Sequence, residues 1–344
     1  MVAGHTVTAL TAILQDFIKE SFEEERDYVL PFMKDAQKET LGGKRKGYVF
    51  DWHKWDEIGL AQKQTYGTDL SSGKTFTITQ TKGQLRLMAD YISIDPFAND
   101  IRLDDTMDAA YRHFKKQVKR TTWEWARGSI TVGSGFYDTS AGFAATGSET
   151  WTTPTKYYMG GGSRADMIAA VAKTKAKELH ALALTLGLYG APTFEDGTYH
   201  LCLSRHSMYA LIAEDQEFRQ LHEGGKLTVF EEGKLPRWGN FTIYINDMPF
   251  REQSSGAEST GSSYLFSSTG DLIFDYAYGP GSFGIVSLGK NGMQPDFKVQ
   301  DISKVPNSEV TIGWSMPFAA GVIDYRWIIP AASMSTAQTS VSSL

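Results

Sequence analysis

Leu103–Gly128 reads LDDTMDAAYRHFKKQVKRTTWEWARG. Met107, Ala110, Phe114, Val118 and Trp125 recur at steps of three, four and seven, which places them on one face of an α-helix. Asp104, Asp105 and Asp108 crowd the first turns, and Arg112, Lys115, Lys116, Lys119, Arg120 and Arg127 follow. Acids thus sit toward the positive end of the macrodipole and bases toward the negative end. At 1.5 Å per residue the helix would be roughly 35 Å long.

Working outward, residues 45–94 read as strand, polar turn and long strand. Gly47–Trp55 puts Tyr48, Phe50 and Trp52 on one side, and Tyr66–Lys74 is turn material rich in Gly, Ser, Thr and Asp. Thr75, Thr77, Thr79 and Thr81 alternate with Phe76, Ile78 and Gln80, a strand with one thin apolar face. Leu85 and Leu87 reverse the parity, so Gly83 marks a bulge or bend. A two-stranded hairpin is marginal in water. The expectation is that it projects from its own subunit and that a neighbour covers Phe76, Ile78, Leu85 and Leu87. A long hairpin feeding a long charged helix points to a subunit of an assembly.

Upstream, Val7, Leu10, Leu14, Phe17, Ile18 and Phe22 form the stripe of an amphipathic helix, with Glu20, Glu23, Glu24 and Glu25 outside it and Pro31 beyond its end. Phe32–Lys38 reads as a further short helical turn. This arm has little of its own to pack against and is expected to dock on an adjacent subunit. Downstream, Ser129–Thr155 is loop-like, with Phe136, Tyr137, Phe143 and Trp151 interspersed. A second helix is predicted over Ser163–Leu186, capped by Ser163, with Ile168, Val171, Leu179, Leu182 and Leu186 as its stripe. From Tyr199 short strands (Tyr199–Leu203, Phe241–Ile245, Tyr264–Ser267, Gly284–Leu288) alternate with a helix near Ser204–Ala213, without regular βαβ spacing. From Asp296 the chain is strand-like again, ending in the apolar run Gly321–Ile329. The fold class is α+β.

Composition narrows the function classes. With 344 residues the chain can bury a real core and favours about two domains. Its 33 Gly, 19 Phe, 16 Tyr and 8 Trp tilt it toward β structure with large interfaces. A single cysteine, Cys202, excludes an internal disulfide framework and fits a reducing compartment. The net charge of −6 argues against a dedicated nucleic-acid binder. No apolar run reaches membrane-spanning length, and MVAGHTVTAL lacks the pattern of a signal peptide.

A catalytic constellation does not assemble from the motifs. Gly279–Pro280–Gly281–Ser282–Phe283–Gly284 matches G-x-G-x-x-G, but a strand pattern follows where a dinucleotide site needs a helix, so it reads as a turn. Gly160–Gly161–Gly162 lacks the Lys-Ser/Thr pair of a phosphate loop and reads as a joint. His200 and Cys202 would share a strand face near His206, with His222 the only other nearby ligand, too few for a tetrahedral metal set. Asp95, Asp100, Asp104, Asp105 and Asp108 fit no cation-loop spacing. Lys44–Arg45–Lys46 could touch DNA or an acidic neighbour, and a solvated strand edge fits equally well. Neither H-E-x-x-H nor G-x-S-x-G occurs. No catalytic residue, cofactor site or metal site is expected.

The order of the pieces resembles the major capsid protein of tailed bacteriophages, the lambdoid-type capsid fold. Closer in, the chain looks like the podophage capsid family named after phage N-four. Four stretches carry the likeness: Lys74–Asp95 (KTFTITQTKGQLRLMADYISID), Met107–Ile130 (MDAAYRHFKKQVKRTTWEWARGSI), Tyr199–Leu221 (YHLCLSRHSMYALIAEDQEFRQL) and Gly313–Ile329 (GWSMPFAAGVIDYRWII). The resemblance implies an N-terminal arm (1–47), an extended E-loop hairpin (48–95), a peripheral domain with the long spine helix (96–198 and 296–330) and an axial α/β domain (199–295 and 331–344).

It further implies self-assembly into pentamers and hexamers of an icosahedral shell around double-stranded DNA, in a virion built in the host cytoplasm. The implied partners are neighbouring capsid subunits, a portal protein and, for some relatives, a decoration protein, with packaged DNA touched only non-specifically and no membrane. Some members carry a cleaved scaffolding segment. Here the arm begins almost at Met1, so a separate scaffolding protein, or none, is the expectation. Some relatives cross-link an E-loop Lys to a neighbour's Asn. Lys63, Lys74 and Lys82 are available, but no matching Asn and acidic catalyst stand out, so that chemistry is not carried over. The rival readings are a soluble α/β enzyme with an unrecognised site, and a virion decoration protein.

Overall fold

Thr106–Val132 forms one α-helix (α1) of 27 residues, about 40 Å long at 1.5 Å per residue. Phe114, Val118, Ala126 and Ile130 are buried at steps of four and eight along it. The Thr122 and Thr131 hydroxyls donate to the carbonyls of Val118 and Arg127 one turn back (2.8 Å each), so the stripe takes in two threonines without stranding a donor. Trp123 is buried, whereas Trp125 only packs against the core from its edge. The helix starts and ends later than its sequence pattern suggested, and its last turn holds no base. The expected pairing of bases with the negative end of the dipole is therefore not met there.

The computed structural model describes residues 34–41, 49–55, 78–94, 106–132, 137–138, 142–143, 154–160, 162–170, 172–214, 234–246, 250–252, 272–288, 295–302 and 309–334. The arm helix expected at 7–24, Phe76, the strand at Tyr264–Ser267, His222 and the Lys44–Lys46 bases lie outside them.

Around α1 stand two main sheets. The five-stranded one contains β1 (Gln37–Leu41), β4 (Arg86–Ile94), β13 (Phe283–Leu288), β14 (Asp296–Ile302) and β15 (Glu309–Val322). β15 is its hub, antiparallel to β4, β13 and β14. The seven-stranded sheet runs β7 (Tyr157–Tyr158), β16 (Ile328–Met334), β12 (Leu272–Tyr278), β8 (Tyr199–Ser204), β10 (Phe241–Asn246) and β9 (Lys234–Trp238), with β11 (Phe250–Glu252) also on β12. β2 (Val49–Trp55) and β3 (Ile78–Gln84) pair as a hairpin, and β5 (Tyr137–Asp138) pairs with β6 (Gly142–Phe143).

One core lies between the two sheets, filled by α1, by Ile312, Trp314, Met316 and Phe318 of β15 and by Phe274, Tyr276 and Tyr278 of β12. A second core covers the far side of the seven-stranded sheet with α3 (Ala176–Leu188) and α4 (Arg205–Glu214). Buried on both faces, β8, β12 and β16 lose the in–out alternation of a half-exposed strand.

The helix expected over Ser163–Leu186 is two helices. Ser163 caps α2 (Arg164–Ala170) as foreseen, its hydroxyl accepting from the Asp166 N–H (3.3 Å) while Asp166 accepts from the Ser163 N–H (2.9 Å). The helix then stops because the Ala172 carbonyl accepts from the Met334 N–H (2.9 Å), which draws the backbone to β16. α3 begins afterwards, preceded by an extended Lys175.

Two other expectations change. Phe32–Lys38 does not form a helical turn through its end: Gln37–Leu41 is a strand, added parallel to the edge of β13 with Ala36 buried behind it. The root of the arm therefore docks on its own chain. The run Gly321–Ile329 is split by a turn between β15 and β16, where Ile323 and Asp324 donate to the Ser282 carbonyl (2.8 and 3.1 Å).

Candidate assembly surfaces

The two faces of the five-stranded sheet differ by strand parity. Met88 on β4, Trp314 on β15 and Phe297 on β14 point into the core. A side-chain relay ties this face to α1: the Trp314 indole N–H donates to Gln117 Oε1 (3.1 Å), and the Gln117 amide donates to Asp90. The opposite face carries Leu87, Ala89 and Tyr91 against Pro317, Ser315 and Gly313, with Asp296 and Lys298 beyond them on β14.

One end of that outer face is covered by the hairpin. Phe50 and Trp52 of β2 pack with Leu85 on Val286, Ala319 and Ile323. The indole of Trp52 lies against Gly284, where a Cβ would come within 2.6 Å of the ring. Beside it, Lys54 forms an ion pair with Asp324 and lies 3.4 Å from the Trp327 ring centroid. Asp324, only 2% exposed, also takes the fork of Arg326 (Nε to Oδ1, 3.1 Å; Nη2 to Oδ2, 3.2 Å). The expectation that one chain cannot cover this hairpin is corrected for its base: Leu85 is 4% exposed, sheltered by its own subunit. Ile78 and Leu87 remain open at 46% and 66%. The chain breaks between β3 and β4 at Leu85, close to the bend expected at Gly83.

The other end is open. Gly313 forms the floor between Tyr91 and Lys298, its cross-strand neighbours, and the row Ala89–Ser315–Asp296 follows. Together they make a shallow groove of about 470 Å³. Tyr91 is 72% exposed on its wall. A second exposed apolar set, Leu184, Leu188 and Tyr189 at the end of α3 and Tyr209 on α4, lies on the helical side of the seven-stranded sheet.

The residues weighed for chemistry are scattered or engaged. His200 and Cys202 share the inner face of β8, but Cys202 is fully buried and burial pushes its thiol well up, with Asp275 and Asp35 adding to the effect. His200 Nδ1 bonds Asp35 Oδ2 (2.6 Å), the same oxygen that accepts from the Tyr278 hydroxyl (2.9 Å), and its ring stacks on Phe194 at 3.6 Å. That trio fastens the arm's root to the seven-stranded sheet. Gly279–Ser282 is the turn carrying the chain from β12 to β13, with Gly281 at φ 72°. The Gly160 N–H donates to Glu178 Oε2 (2.7 Å).

Among the described residues, Asp275 is the most perturbed carboxyl. One oxygen accepts from the Ser204 N–H at the start of α4 (2.6 Å), and burial raises its pKa to about 7 against the bonds from Ser207 and Ser204. Among the described residues no group of three or more His, Cys, Asp or Glu could hold a metal ion. Sequence reading passed over Trp52, Lys54, Asp324 and Asp35 as fastening residues. One signal was the glycine motif, which flags Gly284 for a reason other than its seat under Trp52.

No family model matches the sequence, and no curated protein is similar to it. Solved structures are. A chain of the capsid of Ralstonia phage GP4 superposes with a TM-score of 0.67 at 13% identity, over 91% of this chain and 90% of that one. The cyanophage Pam1 capsid gives 0.60 at 12% identity, covering 90% and 91%. That of cyanophage P-SCSP1u gives 0.58 at 12% identity, covering 88% and 87%. The chain has a phage-capsid fold. The likeness spans both sheets, so the capsid fold accounts for nearly the whole chain and not for one module of it.

Proposed function

We propose that this chain is a major capsid protein whose copies form pentamers and hexamers of an icosahedral shell around a double-stranded DNA genome. The observation that carries the reading is the superposition on the Ralstonia phage GP4 capsid chain over about nine-tenths of both lengths. An obligate shell subunit keeps apolar surface for its neighbours, and the open groove beside Tyr91 and the exposed ends of α3 and α4 fit that role.

On this reading residues 1–47 are the arm, 48–95 the E-loop, 96–198 with 296–330 the peripheral region, and 199–295 with 331–344 the axial region. The layers cut across this division: β1, β4 and β13, from the arm, E-loop and axial ranges, join the sheet of β15, whereas β7 pairs with β16 and α3 packs on the seven-stranded sheet. A separate scaffolding protein, a portal and a decoration protein are proposed as partners, and assembly is proposed to occur in the host cytoplasm. No helix among the described residues is long and apolar enough to cross a membrane.

Electron microscopy of the purified chain, alone and co-expressed with candidate scaffolding proteins, tests the proposal. Closed shells or rings of five and six are expected. A monomer that assembles under none of these conditions would overturn it, and attachment only to preformed shells would make it a decoration protein.

A further inference from the structure

β13, with the sequence FGIVSL, carries no charge and no proline. Phe283 and Ile285 are buried in the core beside α1, and Val286 packs with Phe50 and Trp52 on the other face. One edge of the strand pairs with β15. Among the described residues the other edge is taken by β1 alone, in parallel register from Gln37 on Gly284 to Leu41 on Leu288. β1 has a different character. Its sequence is QKETL, with Gln37 and Lys38 exposed.

A clasp just ahead of β1 holds it there. Asp35 reaches across to the seven-stranded sheet, where its Oδ2 accepts from the Tyr278 hydroxyl of β12 (2.9 Å) and lies 2.6 Å from His200 Nδ1 of β8. His200 is itself fixed by stacking on Phe194 and by the Tyr244 ring at 4.9 Å between centroids. Ala36, between the clasp and the strand, is buried in the core. The edge strand of one sheet is thus tied to side chains of the other.

We propose that β1 is an autoinhibitory cover: clasped by Asp35, it occupies the edge of β13 that would otherwise pair with β13 of a second copy. A bare strand edge presents unpaired N–H and C=O groups that template pairing with another chain. Short, uncharged, β-prone segments stack on identical copies of themselves, because every backbone group then finds a partner and no like charges are opposed. FGIVSL is such a segment, so the same strand of another copy is the occupant that fits a bared edge. With β1 in place the outermost strand is QKETL, and charged residues suit an exposed edge. The inference concerns the single subunit before assembly and stands apart from the shell reading.

Asp35→Ala removes the clasp. Asp296→Ala, which takes an exposed acid from β14 of the same sheet, is the charge-matched control. In dilute subunits, hydrogen exchange at 37–41 and 283–288 should quicken about tenfold or more in Asp35→Ala, since each bond to a charged acceptor has an effect of that order. On concentration the same variant should form thioflavin-T-positive aggregates, seen by electron microscopy as fibres or sheets and not as closed shells. Wild type and control should not form them. Excess peptide KDAQKETL, residues 34–41, should suppress the aggregates, whereas a scrambled peptide should not.

Unchanged exchange would show that Asp35 does not hold the cover, and fast exchange at 283–288 without aggregation would show that β13 needs none. Either result overturns the inference, as does equal aggregation of the control or equal suppression by the scrambled peptide. If Asp35→Ala fails to fold, Asp35→Asn, which keeps the shape and one acceptor oxygen, takes its place, with a smaller rise in exchange and the same peptide rescue expected. Failure of the wild-type protein to build shells would count against the proposed function and leave these outcomes unaffected.

Discussion

Gly284→Ala tests how the hairpin is seated. A Cβ at this position would lie 2.6 Å from Trp52 Cζ2, 3.0 Å from its Cε2 and 3.0 Å from Ile323 Cδ1. The indole has little freedom to retreat, because Phe50 meets its ring at 4.6 Å between centroids and both side chains are buried. The backbone is not the obstacle, since Gly284 is not among the glycines with positive φ. Forcing a methyl into such a contact costs about 1–3 kcal/mol. Removing glycine from a strand returns about 0.5–1 kcal/mol of chain entropy. The variant should therefore be about 1–2 kcal/mol less stable in urea denaturation followed by far-ultraviolet circular dichroism.

A double-mutant cycle isolates the contact. In a Trp52→Ala background, itself weaker by about 3–5 kcal/mol, the indole clash is gone and only the 3.0 Å approach to Ile323 Cδ1 remains, so Gly284→Ala should cost less than in the wild type. Hydrogen exchange across residues 49–55 of dissociated subunits gives a second reading, with faster exchange expected in the single Gly284→Ala variant. Unchanged stability and unchanged exchange in that variant would show that Trp52 does not rest on Gly284.

Three further outcomes are expected. Burial raises the Asp275 pKa from its ordinary 3.8 to about 7, so between these values the native state keeps a proton that the unfolded chain has released. Its contribution to stability should thus decline as pH rises from about 4 to about 7 and level off above, by an amount on the order of a few kcal/mol. Asp275→Asn should flatten that part of the profile in parallel denaturant titrations, and an unaltered profile would rule out a titrating Asp275. Lys54→Met should cost about 1–2 kcal/mol in the same assay, because Asp324 keeps Arg326 but loses its link to the hairpin; no loss would mean the link is idle. Thr131→Val removes the hydroxyl that lies 2.6 Å from the buried Tyr276 hydroxyl and should cost about 0.5–1.5 kcal/mol by denaturation. An isostable variant would point to a different partner for Tyr276.

What could be read from the sequence was whatever repeats locally. The period of α1 shows in Phe114 and Val118, and the strands at 199–204, 241–246 and 283–288 show as short apolar runs between turn residues. What could not be read depends on residues brought together from afar. The break between α2 and α3 comes from the Met334 N–H capturing the Ala172 carbonyl, and nothing near Ala172 announces it. Gln37–Leu41 becomes a strand because β13 has an edge to offer. The hairpin seemed to lack cover because its cover, Val286 and Ala319, lies in the second half of the chain. Asp324 and Arg326, the two charges inside an apolar run, were the local hint that Gly321–Ile329 turns a corner.

The position of the hub strands governs the order in which the chain can fold during synthesis. β15 joins β4, β13 and β14, and β16 pairs with β12 and β7, yet both lie beyond residue 308. A ribosome that has not passed that point has made strands without their common partner. At about 5–20 residues per second, β1 waits roughly 15–60 s before either sheet can close. Folding is then late, cooperative and largely post-translational, as expected where pairings are far apart in sequence. A product interrupted before residue 309 lacks β15, so β4, β13 and β14 are left without the strand that joins them. The five-stranded sheet is thus joined only once nearly the whole polypeptide has been made.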